Sequence, residues 1–283
     1  MQAKQKIVQI ISFMIVFGLL TAAVTTALSV DPSKPSSMEI TSNTTNAYPQ
    51  GSLINKTRGY IYTVTVNESQ PSRKWAGYVG NINGEYALQD ASGNALYDWD
   101  IVTITGELYA TKEGPDTSKN EQQDPYAGGI PLWTNMTCAT LSQLEHEQAV
   151  FNHSSTDEDA YLNTFDHEGF TNPGFYAGEQ QVTDTDTWNT TESSNCYGIN
   201  LNQVDSDQPE NGNWTQVVLT DGTYQWATAG QSEEVYDITY AVLLENDTAG
   251  FNDVAYDFQI LLPQSGLEGT QPIVPYYFYV ELI

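Results

Sequence analysis

The sequence predicts a mainly β protein: an antiparallel β-sandwich, Ig-like or jelly-roll-like. It also predicts a loop and short-helix insertion, and an N-terminal signal or anchor helix. Three observations carry this. Apolar and polar residues alternate with a period of two in segment after segment, the alternating segments are separated by turn residues, and helical periodicity is confined to one region.

The chain begins with basic residues, Lys4 and Lys6, and continues into an apolar stretch over residues 7–24 broken by Gln9, Ser12 and Thr21. Small residues follow, in Thr25-Thr26-Ala27-Leu28-Ser29. A basic flank, an apolar run and a small-residue exit make residues 1–28 a signal peptide or a retained N-terminal membrane anchor. The run of about 18 residues sits at the lower limit for a spanning helix, so both forms stay open. In either form the remainder is expected outside the cytoplasm, with the membrane touched only through this segment.

Residues 29–52 are rich in Ser, Thr and Pro, with few apolar side chains to bury, and read as a linker. Residues 53–283 form the β-sandwich domain, long enough to bury roughly 70–75% of its unfolded surface. Alternation runs through residues 60–66, where Tyr62, Val64 and Val66 oppose Thr63 and Thr65. In residues 101–108, Val102, Ile104 and Leu108 oppose Thr103, Thr105 and Glu107. Near the C-terminus, Tyr236, Ile238, Tyr240, Val242 and Leu244 share a face, as do Tyr256, Phe258, Ile260 and Leu262, and again Tyr276, Phe278, Val280 and Leu282. Each pattern predicts a strand with one buried and one wet face. Asn83-Gly84, Ser92-Gly93-Asn94 and Asp221-Gly222 are expected as tight hairpin turns. The last strand, within residues 273–283, is expected either to close its own sandwich or to complete a neighbour's, pairing only after Pro275, which lacks an N–H.

The insertion spans about 138–200. Thr140-Leu-Ser-Gln143 matches a capping box ahead of Leu141, Leu144 and Val150, and Ser155-Thr-Asp-Glu158 repeats the signature before Ala160, Tyr161 and Leu162. Cys138 and Cys196 bracket this region, and an isolated pair in an exported chain predicts a disulfide rather than two buried thiols. Closing about 58 residues stabilises by roughly 4 kcal/mol in the chain-entropy model.

Charge divides the chain. The formal net charge is −27, yet all nine Lys and Arg lie in residues 1–119 beside ten acids, leaving 26 acids and no Lys or Arg in 120–283. Such a surface repels nucleic acid and calls for calcium or other screening cations. Asp184, Asp186, Asp205, Asp207 and Glu210 offer hard oxygen ligands for calcium, although Gly212 falls too late for an EF-hand; diffuse counterions are the alternative. Eight N-x-S/T sequons, at Asn43, Asn55, Asn67, Asn135, Asn152, Asn189, Asn213 and Asn246, are N-glycosylation candidates. That is roughly double the chance expectation for this composition.

No catalytic set emerges. His146, His153 and His167 all lie in the insertion without zinc-protease spacing and read as exposed loop histidines. There is no G-x-S-x-G elbow and no phosphate loop, and 36 acids make any single carboxylate pair uninformative. No cofactor is expected beyond those cations. The 18 Tyr and 6 Trp read as bulk for strand faces, with glycan stacking as the alternative.

Two stretches carry a resemblance. Trp75-Ala-Gly-Tyr-Val-Gly-Asn-Ile-Asn-Gly-Glu-Tyr-Ala-Leu runs on to Asp90-Ala-Ser-Gly-Asn-Ala-Leu-Tyr-Asp-Trp99, and the chain closes with Tyr256-Asp-Phe-Gln-Ile-Leu-Leu-Pro263 and Tyr276-Tyr-Phe-Tyr-Val-Glu-Leu282. These resemble secreted β-rich proteins of archaeal cell surfaces. The resemblance implies an archaeal exterior and no catalytic residues. The expected function is an extracellular structural or adhesive protein, an envelope or filament subunit that partners the cell envelope or itself. A ligand- or glycan-binding module using the 138–200 insertion is the alternative, and a secreted hydrolase the third.

Overall fold

A computed structural model describes residues 31–39, 72–92, 94–112, 131–165, 172–183, 196–201, 213–226, 234–265 and 275–283. The alternating segment 60–66, the N-terminal segment 1–28 and His167 lie outside these residues.

The architecture is mainly β and antiparallel, as the alternation predicts. The N-terminal strands are β1 (Trp75–Gly80), β2 (Glu85–Gln89), β3 (Ala95–Asp100) and β4 (Gly106–Thr111). The insertion region contributes β5 (Thr137–Cys138), α1 (Leu141–Val150), α2 (Tyr161–Thr164), β6 (Phe175–Ala177), β7 (Gln180–Val182) and β8 (Gly198–Leu201). The C-terminal strands are β9 (Trp214–Trp226), β10 (Glu234–Leu243), β11 (Thr248–Ala249), β12 (Ala255–Tyr256), β13 (Phe258–Pro263) and β14 (Tyr277–Leu282).

The central sheet runs β14-β4-β10-β9, and β5 and β8 share the outer edge of β9. A second layer, the antiparallel pair β1–β13, lies over one face, where Ile260 and Leu262 pack with Leu108, Val218, Tyr240 and Val242. Gln216, fully buried on that face, joins the layers through Leu261 of β13. Its amide donates to the Leu261 carbonyl and accepts from the Leu261 N–H, both at 2.8 Å. The side chain thus supplies the partner that another strand would have given β13.

Two expectations are corrected here. The strand expected over 101–108 begins only at Gly106, and Val102, expected to share a buried face with Ile104 and Leu108, is 89% exposed. The alternation also predicts a wet face, yet all six residues of β4 are buried. The insertion covers the second face: Phe175, Ala177 and Val182 of the β6–β7 hairpin, with Trp133 and Met136, pack on Tyr109, Val217, Leu219, Ala241 and Tyr279. The polar positions on this face lie inside, and Thr111 is bonded there: its Oγ1 donates to the Ile238 carbonyl at 3.1 Å.

The turns divide. Ser92 and Asn94 do close the β2–β3 hairpin, with both N–H groups donating to Asp90 Oδ1 at 2.9 Å. Asn83-Gly84 is not a hairpin turn, because β1 pairs with β13 rather than with β2. Asp221-Gly222 lies inside β9, at the register shift between Tyr236 and Ile238 of β10, with Gly222 at φ +75°. It is a bulge: the positive φ that suits a tight turn equally accommodates extra residues in one strand. The last strand closes its own sheet. It begins at Tyr277, pairs with β4, and on its other side Val280 exchanges backbone bonds with Ser33, within the segment read as a linker.

The insertion is built into the core. Thr140 and Gln143 form the predicted capping box of α1. From α1, Leu144 reaches the first core together with Tyr161 of α2 and Phe165 just beyond it. Tyr161, Phe165, Trp75 and Tyr240 make a continuous ring cluster with centroids 5.1–6.5 Å apart. Beneath it, Lys112 Nζ donates to both Glu147 oxygens at 2.7 and 2.6 Å, and the Tyr240 hydroxyl donates to Oε1 at 3.2 Å. Lys112 and Glu147 are 5% and 1% exposed, so neither charge has water to fall back on.

Lys112→Met, which strands the Glu147 carboxylate, is expected to cost about 3–5 kcal/mol in urea unfolding, whereas Lys112→Met with Glu147→Leu regains most of it. A double variant no better than the single one contradicts this account of the ion pair.

Candidate functional site

The disulfide forms between Cys138 and Cys196, at a sequence separation of 58. Cys138 faces Leu219 and Gly198 faces Val217 across the ladders, so both cysteines flank the same stretch of β9. The Asn172 amide donates to Cys196 Sγ at 3.3 Å, which ties the start of the β6–β7 hairpin to the bridge.

Of the sequon asparagines, Asn135, Asn152 and Asn213 are exposed. Asn246 is half-buried, and its Oδ1 accepts the Ile104 N–H at 2.7 Å. Asn43, Asn55, Asn67 and Asn189 lie outside the described residues, as do the calcium candidates Asp184, Asp186, Asp205, Asp207 and Glu210. Among the described residues no three metal-ligating side chains converge. Asp157 and Asp159 instead meet Lys74, Asp157 at 2.8 Å. That pairing holds Asp159 below the usual carboxylate range and Lys74 above its own. His153 is buried rather than exposed, which corrects the loop reading: its Nε2 lies 2.8 Å from the Gln264 carbonyl, its ring meets Trp75, and burial lowers its pKa.

The structure singles out a feature that the sequence left among ordinary strands. The β2–β3 ribbon pairs Tyr86 with Trp99 and Leu88 with Tyr97, placing all four side chains on one face. They are 47, 51, 53 and 59% exposed for Tyr86, Trp99, Leu88 and Tyr97. The opposite face carries Glu85, Ala87, Asp98 and Asp100, with Glu85 directly across from Asp100. At the ribbon's root, Ile101 N–H donates to the Gly84 carbonyl at 3.3 Å, and a Cβ on Gly84 would stand 2.3 Å from Leu282 Cδ1. Glycine at 84 lets the ribbon leave the body against the last strand. The sequence signal was the Ser92–Asn94 turn, which sets the register that brings these four together.

A second unexpected grouping is interior. Glu107 and Glu281 are direct cross-strand partners, 4% and 6% exposed. Glu281 Oε2 accepts from Gly178 N–H at 2.9 Å and from the Tyr109 hydroxyl at 3.3 Å, fastening the β6–β7 hairpin to the sheet. Among the described residues, Glu107 Oε2 has no hydrogen-bond donor. Burial first, and the Glu281 carboxylate second, push the Glu107 carboxyl from its ordinary 4.5 up to about 8, so it is protonated at neutral pH.

A raised folded-state pKa gives stability that is full below about 4.5 and lost as pH climbs towards 8. Wild-type stability is therefore expected to fall over that window, while Glu107→Gln matches it at pH 5 and exceeds it by roughly 2–4 kcal/mol at pH 8.5. Urea unfolding curves that stay parallel for the two proteins across pH contradict this. Comparison with family models, curated proteins and solved structures returns no match for this chain.

Proposed function

We propose that this chain is an exported cell-surface structural or adhesive protein, a subunit of an envelope layer or extracellular filament, whose contact surface is the β2–β3 ribbon. The observation that carries the proposal is the uncovered apolar face of Tyr86, Leu88, Tyr97 and Trp99. Water-exposed aromatic faces on a soluble body mark sites of association.

Further features support the setting. An intramolecular disulfide fits an oxidising compartment. The basic-apolar-small order of residues 1–28 and the sequon excess fit export, and the resemblance stated above points to an archaeal exterior. The formal charge of −27 suits a surface bathed in salt, with calcium or other cations screening the acids of residues 120–283. The insertion serves as scaffold in this proposal, since its side chains complete both cores.

Binding of the full-length chain to envelope fragments of the producing cell tests this. The variant Tyr86→Ser/Trp99→Ser, altered only at exposed positions, is expected to bind at least tenfold more weakly with unchanged circular dichroism. Equal binding by the two proteins contradicts the proposal.

A further inference from the structure

We propose that the occupant of the ribbon's aromatic face is a second copy of this chain, its own ribbon packed face to face against the first. This rests on the reading of the ribbon as the contact surface and names its partner.

Sheet architecture comes first. A two-stranded ribbon in water is marginal on its own, and an apolar sheet face is satisfied by another apolar face about 10 Å away. Described side chains leave Tyr86, Leu88, Tyr97 and Trp99 about half uncovered, so the ribbon is one half of a small sandwich. A two-fold axis through the face supplies the identical missing half, which makes the contact self-complementary and closed.

Charge narrows the partner. A second copy also carries −27, so two copies can meet only where carboxylates need not be desolvated. The aromatic face bears no charge, and Glu85, Asp98 and Asp100 sit on the reverse of the ribbon, directed away from the contact. A basic partner would find its complement on that reverse face instead.

Tyr97 and Trp99 meet edge to face, centroids 4.9 Å apart and planes at 61°. That is the arrangement of side chains in protein cores.

Area makes the contact a weak one. Large apolar side chains bury about 150–250 Å² each, so four half-exposed ones offer roughly 400 Å² per copy and about 800 Å² per pair. This lies below the roughly 1,200 Å² at which standard interfaces begin, so the contact is a transient one. Copies held on one surface raise one another's effective concentration, so a contact weak in dilute solution becomes populated where the chains are crowded.

Sedimentation velocity of the full-length chain in a mild detergent, from about 1 µM to 1 mM, reads this directly. The weight-average mass is expected to rise from monomer towards dimer, and to rise further in high salt as repulsion between the acidic bodies is screened. Tyr86→Ser/Leu88→Ser/Trp99→Ser should stay monomeric at every concentration, while Glu85→Gln/Asp98→Asn on the reverse face should associate as well as wild type or better. Wild type and the triple-serine variant sedimenting alike overturns the proposal. Should wild type stay monomeric while the ribbon variant loses envelope binding, the second copy is wrong and another envelope component occupies the face. Loss of neither property sinks both this inference and the reading beneath it.

Discussion

Everything in the described body depends on two short strands sharing one edge of β9. The chain leaves the central sheet at β5, builds two helices and a hairpin, and returns at β8, and Cys138 and Cys196 are bonded where the exit and return run side by side. Fixing both ends of so long an excursion limits where it can go. It lays α1 and α2 over one face of the sheet and β6–β7 over the other, which is why a sheet of alternating pattern ends with no wet face at β4.

Covering both faces buries groups that a one-sided sheet would leave in water, and the structure answers each differently. Gln216 becomes a surrogate strand for β13. Glu281 receives a backbone N–H and a phenol, while Glu107 beside it is neutralised by a proton. Glu147 takes Lys112 from the N-terminal half. The lopsided charge of the sequence is thus partly reconciled by cross-chain pairing: Lys112 and Lys74, both from the segment that holds all the cations, reach acids of the insertion. An acidic half with no Lys or Arg of its own thus draws these cations from the near-neutral half that holds them.

The sequence showed much of this. Strands β10, β13 and β14, the capping box, the disulfide and the Ser92–Asn94 hairpin follow from periodicity, spacing and turn chemistry. What it hid has physical causes. Thr111 and Glu107 alternate with apolar neighbours whether their polar side is wet or covered, so alternation cannot report the second layer. Asp221-Gly222 has the same chemistry in a turn and in a bulge, and only the pairing of Ile238 with Thr220 decides. His153 reads as exposed because it follows a sequon asparagine, yet Asn152 turns outward at φ +53° and leaves His153 to point in. The ribbon face was hidden for the opposite reason: Tyr and Trp in strands usually mean core, and nothing local says that these four are uncovered.

Hydrogen exchange followed residue by residue on the full-length chain, dilute and concentrated, tests the central claim most directly: that the insertion is core and the ribbon is the surface waiting to be covered. α1 and the β6–β7 hairpin are expected to exchange as slowly as β4 and β10, because they open only with the whole. The β2–β3 ribbon is expected to exchange fast when dilute and to gain protection as concentration rises. An insertion that exchanges well before the central sheet, together with a ribbon whose protection ignores concentration, would contradict it.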